Sequence, residues 1–380
     1  MILMAAVVLA LCAASCGQNA AQQQSNQRRV GVFDGYGGAQ TCIWEAVSAC
    51  RLDGDLKVRT ITTGDIARGV LDSLDVIVIP GGGGSRQYLN LGGENVRRIQ
   101  EFVRNGGGAV GICAGAYLFS DTPEYTCIGL NGAAAIDREH DNRGHGNAAF
   151  RLTEEGKRIF PEYAQADTLF CMYYEGPVLI PAENPDITYY TEFATMLSDV
   201  HEEGDAPANM TNNRPFFLGT TYGKGRVFSC IAHPEATPGK MWMIARMVRW
   251  TLGEEALPQR FSKADALKDP TLVNRECLMS IADLKKESSC LKTFFYGTEE
   301  EKLEALEWLK AHSSWDAKRW VQGLLFDESA NVRAAAAEYI ADIHYLTYLP
   351  DVEALYGSEP DEATREAVGR SLERLRSLLP

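Results

Sequence analysis

The hydrophobic pattern divides the chain into two regimes. Across residues 29–253, short apolar runs rich in β-branched residues alternate with segments whose apolar positions recur every three or four residues. Val76-Ile77-Val78-Ile79 is the clearest run. It is too short for a helix, lacks the polar alternation of a half-exposed strand, and is stopped by Pro80 and four glycines. Residues 29–33, 56–61 and 109–112 read as strands of the same kind. Residues 41–50, 63–71 and 95–103 have helical character, the last with Val96, Ile99 and Val103 on one face of a polar segment. Strands alternating with helices predict an α/β fold, a doubly wound parallel sheet covered on both faces. Residues 150–153 add a strand leading into a helix start at Thr153. Residues 199–213 read as an exposed loop or lid, and 241–252 as a closing amphipathic helix.

Beyond Gly253 the composition shifts to helix formers. Residues 254–295 read as a linker with connecting helices. Residues 299–311, 330–343 and 362–375 then form three amphipathic helices at a spacing of about thirty residues. Asp327-Glu328 before Val332-Arg333 is echoed by Asp361-Glu362 before Thr364-Arg365. This pattern resembles degenerate HEAT-like repeats, in which helix pairs stack into a short solenoid. It predicts a smaller all-α helical-repeat domain over 296–380, whose work is contact with a protein partner or with the first domain.

The candidate chemistry lies in the first regime. Cys113 stands where a strand runs out, within Gly111-Ile112-Cys113-Ala114-Gly115. A nucleophile on a sharp strand-to-helix turn needs small neighbours, because the backbone there is strained and crowded. The helix that follows points its free N–H groups at the turn, a field that suits the anionic form of a thiol. The pentapeptide alone suits a buried, inert cysteine equally well. A second stretch breaks the tie, where a Gly223-Lys224-Gly225 turn precedes a strand that delivers His233-Pro234-Glu235. An imidazole at the carboxyl edge of a sheet serves as a general base, and a carboxylate fixes its tautomer. Side chains two apart on extended backbone point the same way, which brings Glu235 to His233. Gly35, in the Asp34-Gly35-Tyr36-Gly37-Gly38 turn after the first strand, is expected to wall the pocket facing Cys113. Its spacing is not that of a nucleotide-binding loop.

Together, Gly-x-Cys-x-Gly, the later His-Pro-Glu and the loop at Pro80 resemble the class I glutamine amidotransferase-like fold. Within it, the chain is most similar to the N-terminal domain of biotin–protein ligases. The residues carrying that likeness are Gly111 to Tyr117 and Tyr173-Tyr174-Glu175-Gly176-Pro177. The resemblance spans residues 29–253 and implies a flavodoxin-like sheet. It further implies Cys113 as nucleophile, His233 as base and Glu235 as orienting acid. The N–H groups of Gly82, Gly83 and Ala114 would form the oxyanion hole, and Tyr117, Tyr173, Tyr174 and Glu175 would lie at the substrate pocket. No synthetase or ligase catalytic region follows, so the expectation is a free-standing cysteine amidase acting on a small amide or peptide side chain, without a cofactor. The alternative is a binding protein that retains the pocket and uses its repeats as an interaction surface. His140, Asp141 and His145 form a mixed cluster that reads as a loop flanking substrate rather than a metal site.

The first residues change where this chemistry is expected to operate. Val7 to Leu11 form an apolar core followed by Ala13-Ala14-Ser15-Cys16, the look of a bacterial lipoprotein signal over residues 1–16, with Cys16 lipidated. Residues 17–28 are a polar tether. The chain is thus expected in the cell envelope, anchored by lipid to a membrane surface, or otherwise secreted. Ten cysteines in an exported chain make pairing plausible, with Cys277 and Cys290 as a candidate staple, while Cys42 and Cys50 fit one face of a helix. A hydrophobic fraction of 45% supplies real cores, and a formal net charge of -14 argues against nucleic acid as a partner.

Overall fold

The computed structural model describes residues 27–202, 204, 206–253 and 273–379. The signal segment with Cys16, the tether up to residue 26 and linker residues 254–272 lie outside the described residues.

In chain order the first domain runs β1 (Arg28–Phe33), α1 (Gln40–Arg51), β2 (Leu56–Ile61), α2 (Thr63–Ala67), β3 (Val76–Ile79), α3 (Gly84–Arg104), β4 (Gly108–Ile112) and α4 (Ala114–Leu118). It continues with β5 (Ala133–Ala135), β6 (His145–Leu152), α5 (Glu154–Ile159), β7 (Leu169–Tyr174), β8 (Leu179–Pro181), β9 (Ile187–Met196), β10 (Pro215–Tyr222), β11 (Gly225–Cys230) and α6 (Trp242–Thr251). The main sheet has the order β12-β6-β9-β10-β11-β4-β3-β1-β2, with β7 also on β6 and β12 (Cys277–Leu278) at the edge. Its β2-β1-β3-β4-β11 half is parallel, as the apolar runs predict. The half beyond β11 is antiparallel, so the sheet is mixed. The four residues of β3 show why its run is unbroken: Val76 and Val78 enter the core under α1 and α6, while Ile77 and Ile79 enter the core under α3.

Three elements differ from the sequence reading. The helix expected over 95–103 starts eleven residues earlier, at Gly84, and absorbs a break at Gly92, which has φ 71°. The helix expected over 63–71 ends at Ala67 and gives way to a 3₁₀ turn at Val70–Ser73. The helix α6 is not amphipathic in its surroundings, since every one of its residues is buried. Its arginines are paired there: Arg246 meets Glu162 at 2.7 Å, and Arg249 meets Asp53 and, at 2.8 Å, Asp55. The described residues of 199–213 do form a loop, but Thr211 is buried and tied to Ser198 and Val200, so the loop is pinned there.

The second domain is all-helical: α7 (Ile281–Tyr296), α8 (Glu299–Ala311), α9 (Ala317–Leu324), α10 (Ala330–Asp342), α11 (Leu349–Ser358) and α12 (Glu362–Ser377). The three predicted helices are α8, α10 and α12, each begun by a capping side chain at Thr298, Ser329 or Asp361. Their partners α7, α9 and α11 complete helix pairs around one apolar core. All eight described cysteines are free thiols, so Cys277 and Cys290 form no staple; one lies on β12 and the other on the inner face of α7. Cys42 and Cys50 are both buried on α1.

The contact between α4 and β3 leaves no room for a side chain. A Cβ added at Gly115 would lie 2.0 Å from the Ile79 carbonyl oxygen. Gly115→Ala should therefore lower stability by about 3 kcal/mol. Gly357→Ala, in α11 with nothing within 4 Å of the new methyl, should instead raise it by up to about 1 kcal/mol. Chemical denaturation of both variants checks the pair; equal effects would show that the α4–β3 approach is not a constraint.

Candidate active site

Three backbone ties at the carboxyl edge of the parallel strands assemble the site. Cys113 follows β4 directly and has φ 51° and ψ −108°, a conformation that side-chain-bearing residues rarely adopt. Its N–H donates to the Cys230 carbonyl of β11 at 2.7 Å, so the turn is pinned to the neighbouring strand. Past that strand, the His233 N–H donates to the Met172 carbonyl of β7 at 2.8 Å, and Thr237 Oγ1 donates to the His233 carbonyl at 2.8 Å. The third tie is the turn after β7. There Glu175 takes φ 47° and Gly176 packs so closely that a Cβ would lie 1.8 Å from the Ile231 carbonyl oxygen. The Tyr174 carbonyl then accepts the Cys113 thiol at 3.4 Å.

The side chains converge accordingly. His233 Nδ1 lies 2.7 Å from Glu235 Oε1, and both residues are almost wholly buried. Glu235 reaches the ring from a 3₁₀ turn, Pro234–Ala236, and not by the strand alternation expected from the sequence. Two thiols, Cys113 and Cys42, also act on the imidazole electrostatically. Burial works against a charge on His233, yet Cys113 and Glu235 together hold its pKa well above the ordinary histidine value. Burial pushes the Cys50 and Cys171 thiols up to about 12. Cys42, His233 and Glu235 present ligand-type atoms within 4.8 Å of one another, and His233 and Glu235 are joined in that cluster by their own hydrogen bond.

A cavity of about 1040 Å³ opens in front of Cys113. Gly35, Gly82, Gly83, Ala114, Tyr117, Tyr174 and Glu175 all line it, together with Cys113 and His233. Two expectations need correction. The Gly83 N–H donates to the Gly37 carbonyl at 2.7 Å, so it is spent within the fold and not free for an oxyanion. Tyr173 does not reach the cavity; it is fully buried, and its hydroxyl donates to the Gly176 carbonyl at 2.6 Å. The 137–145 stretch likewise does not gather its histidines. Asp141 lines the cavity, whereas His145 begins β6 and stacks on Tyr174 at 4.4 Å. What organises that stretch is Arg143, buried between Asp137 at 2.8 Å and the Tyr173 hydroxyl at 3.0 Å.

Sequence reasoning missed the wall opposite Tyr174. Trp315, Asp316 and Arg319, all from the helical domain, line the same cavity, as does Cys42. Cys42 could have been found from its place just after the Gly-rich turn. Trp315 lies some eighty positions after His233 and carries no local signal.

Comparison with known proteins agrees with this division. Residues 29–139 match the family model described as biotin-protein ligase, N terminal, and residues 297–373 match that of HEAT repeats. No curated protein matches the chain. Among solved structures, SMU.1228c is 14% identical over 65% of this chain and 94% of its own, with a TM-score of 0.39. A cytoplasmic protein of Salmonella typhimurium, STM3548, is 12% identical over 59% of this chain and 98% of its own, with a TM-score of 0.38. The glutaminase domain of the Trypanosoma brucei CTPS, solved with bound acivicin, is 12% identical over 62% of this chain and 99% of its own, with a TM-score of 0.38. The sheet topology and the two family models together give the chain a mixed α/β first domain, similar over residues 29–139 to the biotin-protein ligase N-terminal family, and a HEAT-like second one.

Proposed function

We propose that this chain, an amidotransferase-like domain of the biotin-protein ligase N-terminal type joined to HEAT-like repeats, is an amidase that works through Cys113. The observation that carries the reading is the shared imidazole: His233 holds Glu235 on Nδ1 at 2.7 Å and faces a cysteine on a strained strand-to-helix turn. In this reading Cys113 gives its thiol proton to His233, and Sγ attacks the carbonyl carbon of an amide. The C–S bond forms as the carbonyl π pair moves onto oxygen, where the Gly82 and Ala114 N–H groups receive it. Collapse breaks the C–N bond, and His233 hands its proton to the departing nitrogen, releasing ammonia or an amine and leaving a thioester. Water then adds to the thioester with His233 as base, and the acid leaves as the thiol is restored. The cavity exceeds the size of a single small amide, which fits a peptide side chain or a comparably large amide.

Three outcomes are expected. Iodoacetamide at neutral pH should carbamidomethylate Cys113 ahead of the other described cysteines, with mass spectrometry locating the label; a uniform or absent label would sink the proposal. His233→Ala should slow that reaction about a hundredfold. Cys113→Ala should abolish hydrolysis in a screen of glutamine- and asparagine-containing peptides, and equal turnover by the variant and the parent would exclude the thioester route.

A further inference from the structure

The two domains meet over the imidazole itself. Trp315 sits between α8 and α9, is buried, and turns its ring to 4.5 Å from that of His233 at 62°. Its other neighbours are Tyr174, at 6.2 Å between rings, and the cluster of Cys42 with Met172. Three residues on, Lys318 lays its ammonium 3.7 Å above the same indole. Lys318 is itself buried and pairs with Glu45, fully buried on α1 one turn beyond Cys42. Arg319 reaches Thr41 Oγ1, also on α1, at 3.4 Å.

A buried ion pair is a poor device for simply gluing two surfaces, because desolvating both charges offsets most of their attraction. What it supplies is register, since a Lys318 displaced from Glu45 would leave two uncompensated charges in the interior. Here the register decides where the indole stands. The indole in turn packs against the imidazole ring in an edge contact and restricts the room in which that ring can turn.

We propose that the helical-repeat domain is the second half of this active site, with Trp315 as a positioning residue for His233 and the Lys318–Glu45 pair as the pin that sets it. The inference rests on the amidase reading for its chemical consequence, but its physical content is a property of His233 alone. The groups facing that imidazole are Cys113, Cys42 and Glu235, with Glu45 on α1, Cys171 on β7 and Cys230 on β11 behind them and Lys318 across the indole. Removing the indole changes both the burial that opposes a charge on His233 and the screening of Cys113 and Glu235 that favour it, so the His233 titration should move away from that of the parent.

The test uses the full chain as parent, Trp315→Phe, Trp315→Ala, the isosteric pair Glu45→Gln with Lys318→Met, and Trp320→Ala as an exposed control on α9. Imidazole NMR follows the His233 titration, and iodoacetamide the rate at Cys113 across pH. Trp315→Ala and the double variant should shift the His233 midpoint away from the parental value and slow Cys113 alkylation about tenfold. Trp315→Phe should stay within about threefold of the parent, since an aromatic neighbour remains. Trp320→Ala should match the parent. A parental His233 titration in both Trp315→Ala and the double variant would overturn the inference. If Trp315→Ala does not fold, the double variant decides. If Cys113 of the parent is itself unreactive, the amidase reading falls, and the His233 titration still rules on Trp315.

Discussion

At Cys113 the backbone is held where φ is 51°, and most of the surrounding structure can be understood as what that turn requires. A residue with a side chain stays in such a conformation only if its neighbours over-determine it. They do so through glycine. Gly111 and Gly115 lie so close that a Cβ on the first would be 2.7 Å from the second, and Gly115 in turn rides on the Ile79 carbonyl. The short helix α4 is thereby pressed onto β3 and β4, and the sulfur is turned away from the core toward the cavity. Loosening either glycine contact would let the turn relax, and the thiol would lose its fixed relation to His233.

Electrostatics impose the second constraint. A raised imidazole pKa in a dry site is possible only because opposite or potentially opposite charge surrounds it more closely than water could. Glu235 supplies the carboxylate on one ring nitrogen, while Glu45 stands behind it with Lys318 as counter-charge. The first domain alone would leave Glu45 without its cation and the imidazole without its aromatic neighbour. The helical repeats are therefore part of the electrostatic environment of the sheet edge, beyond any binding surface they present outward.

Much of this was legible in the linear pattern, and the exceptions share a cause. The run at Val76 to Ile79, the turn at Cys113 and the His-Pro-Glu segment each carry their meaning within a few residues, so local rules found them. The same is true of α8, α10 and α12, whose apolar faces repeat regularly. The spent N–H of Gly83 was not legible, because its partner Gly37 lies on a turn more than forty residues away. Nor was the burial of α6: Arg246 and Arg249 look like a solvent-facing stripe until Glu162, Asp53 and Asp55 are placed beside them. Trp315 belongs to the same class. Long-range pairing decides these cases, and periodicity does not record it.

The short strand β12 has a consequence of its own. Cys277 and Leu278 are laced to β6, and the Met279 N–H donates to the His145 carbonyl at 2.9 Å. Helix α7 begins at Ile281, with Ser280 as its cap. The helical domain is thus moored to the rim of the sheet within a few residues of its own start. Any separation of Trp315 from His233 has to be a swing about this mooring, not a departure. Reclosure is then intramolecular, at an effective concentration set by geometry and independent of how dilute the protein is.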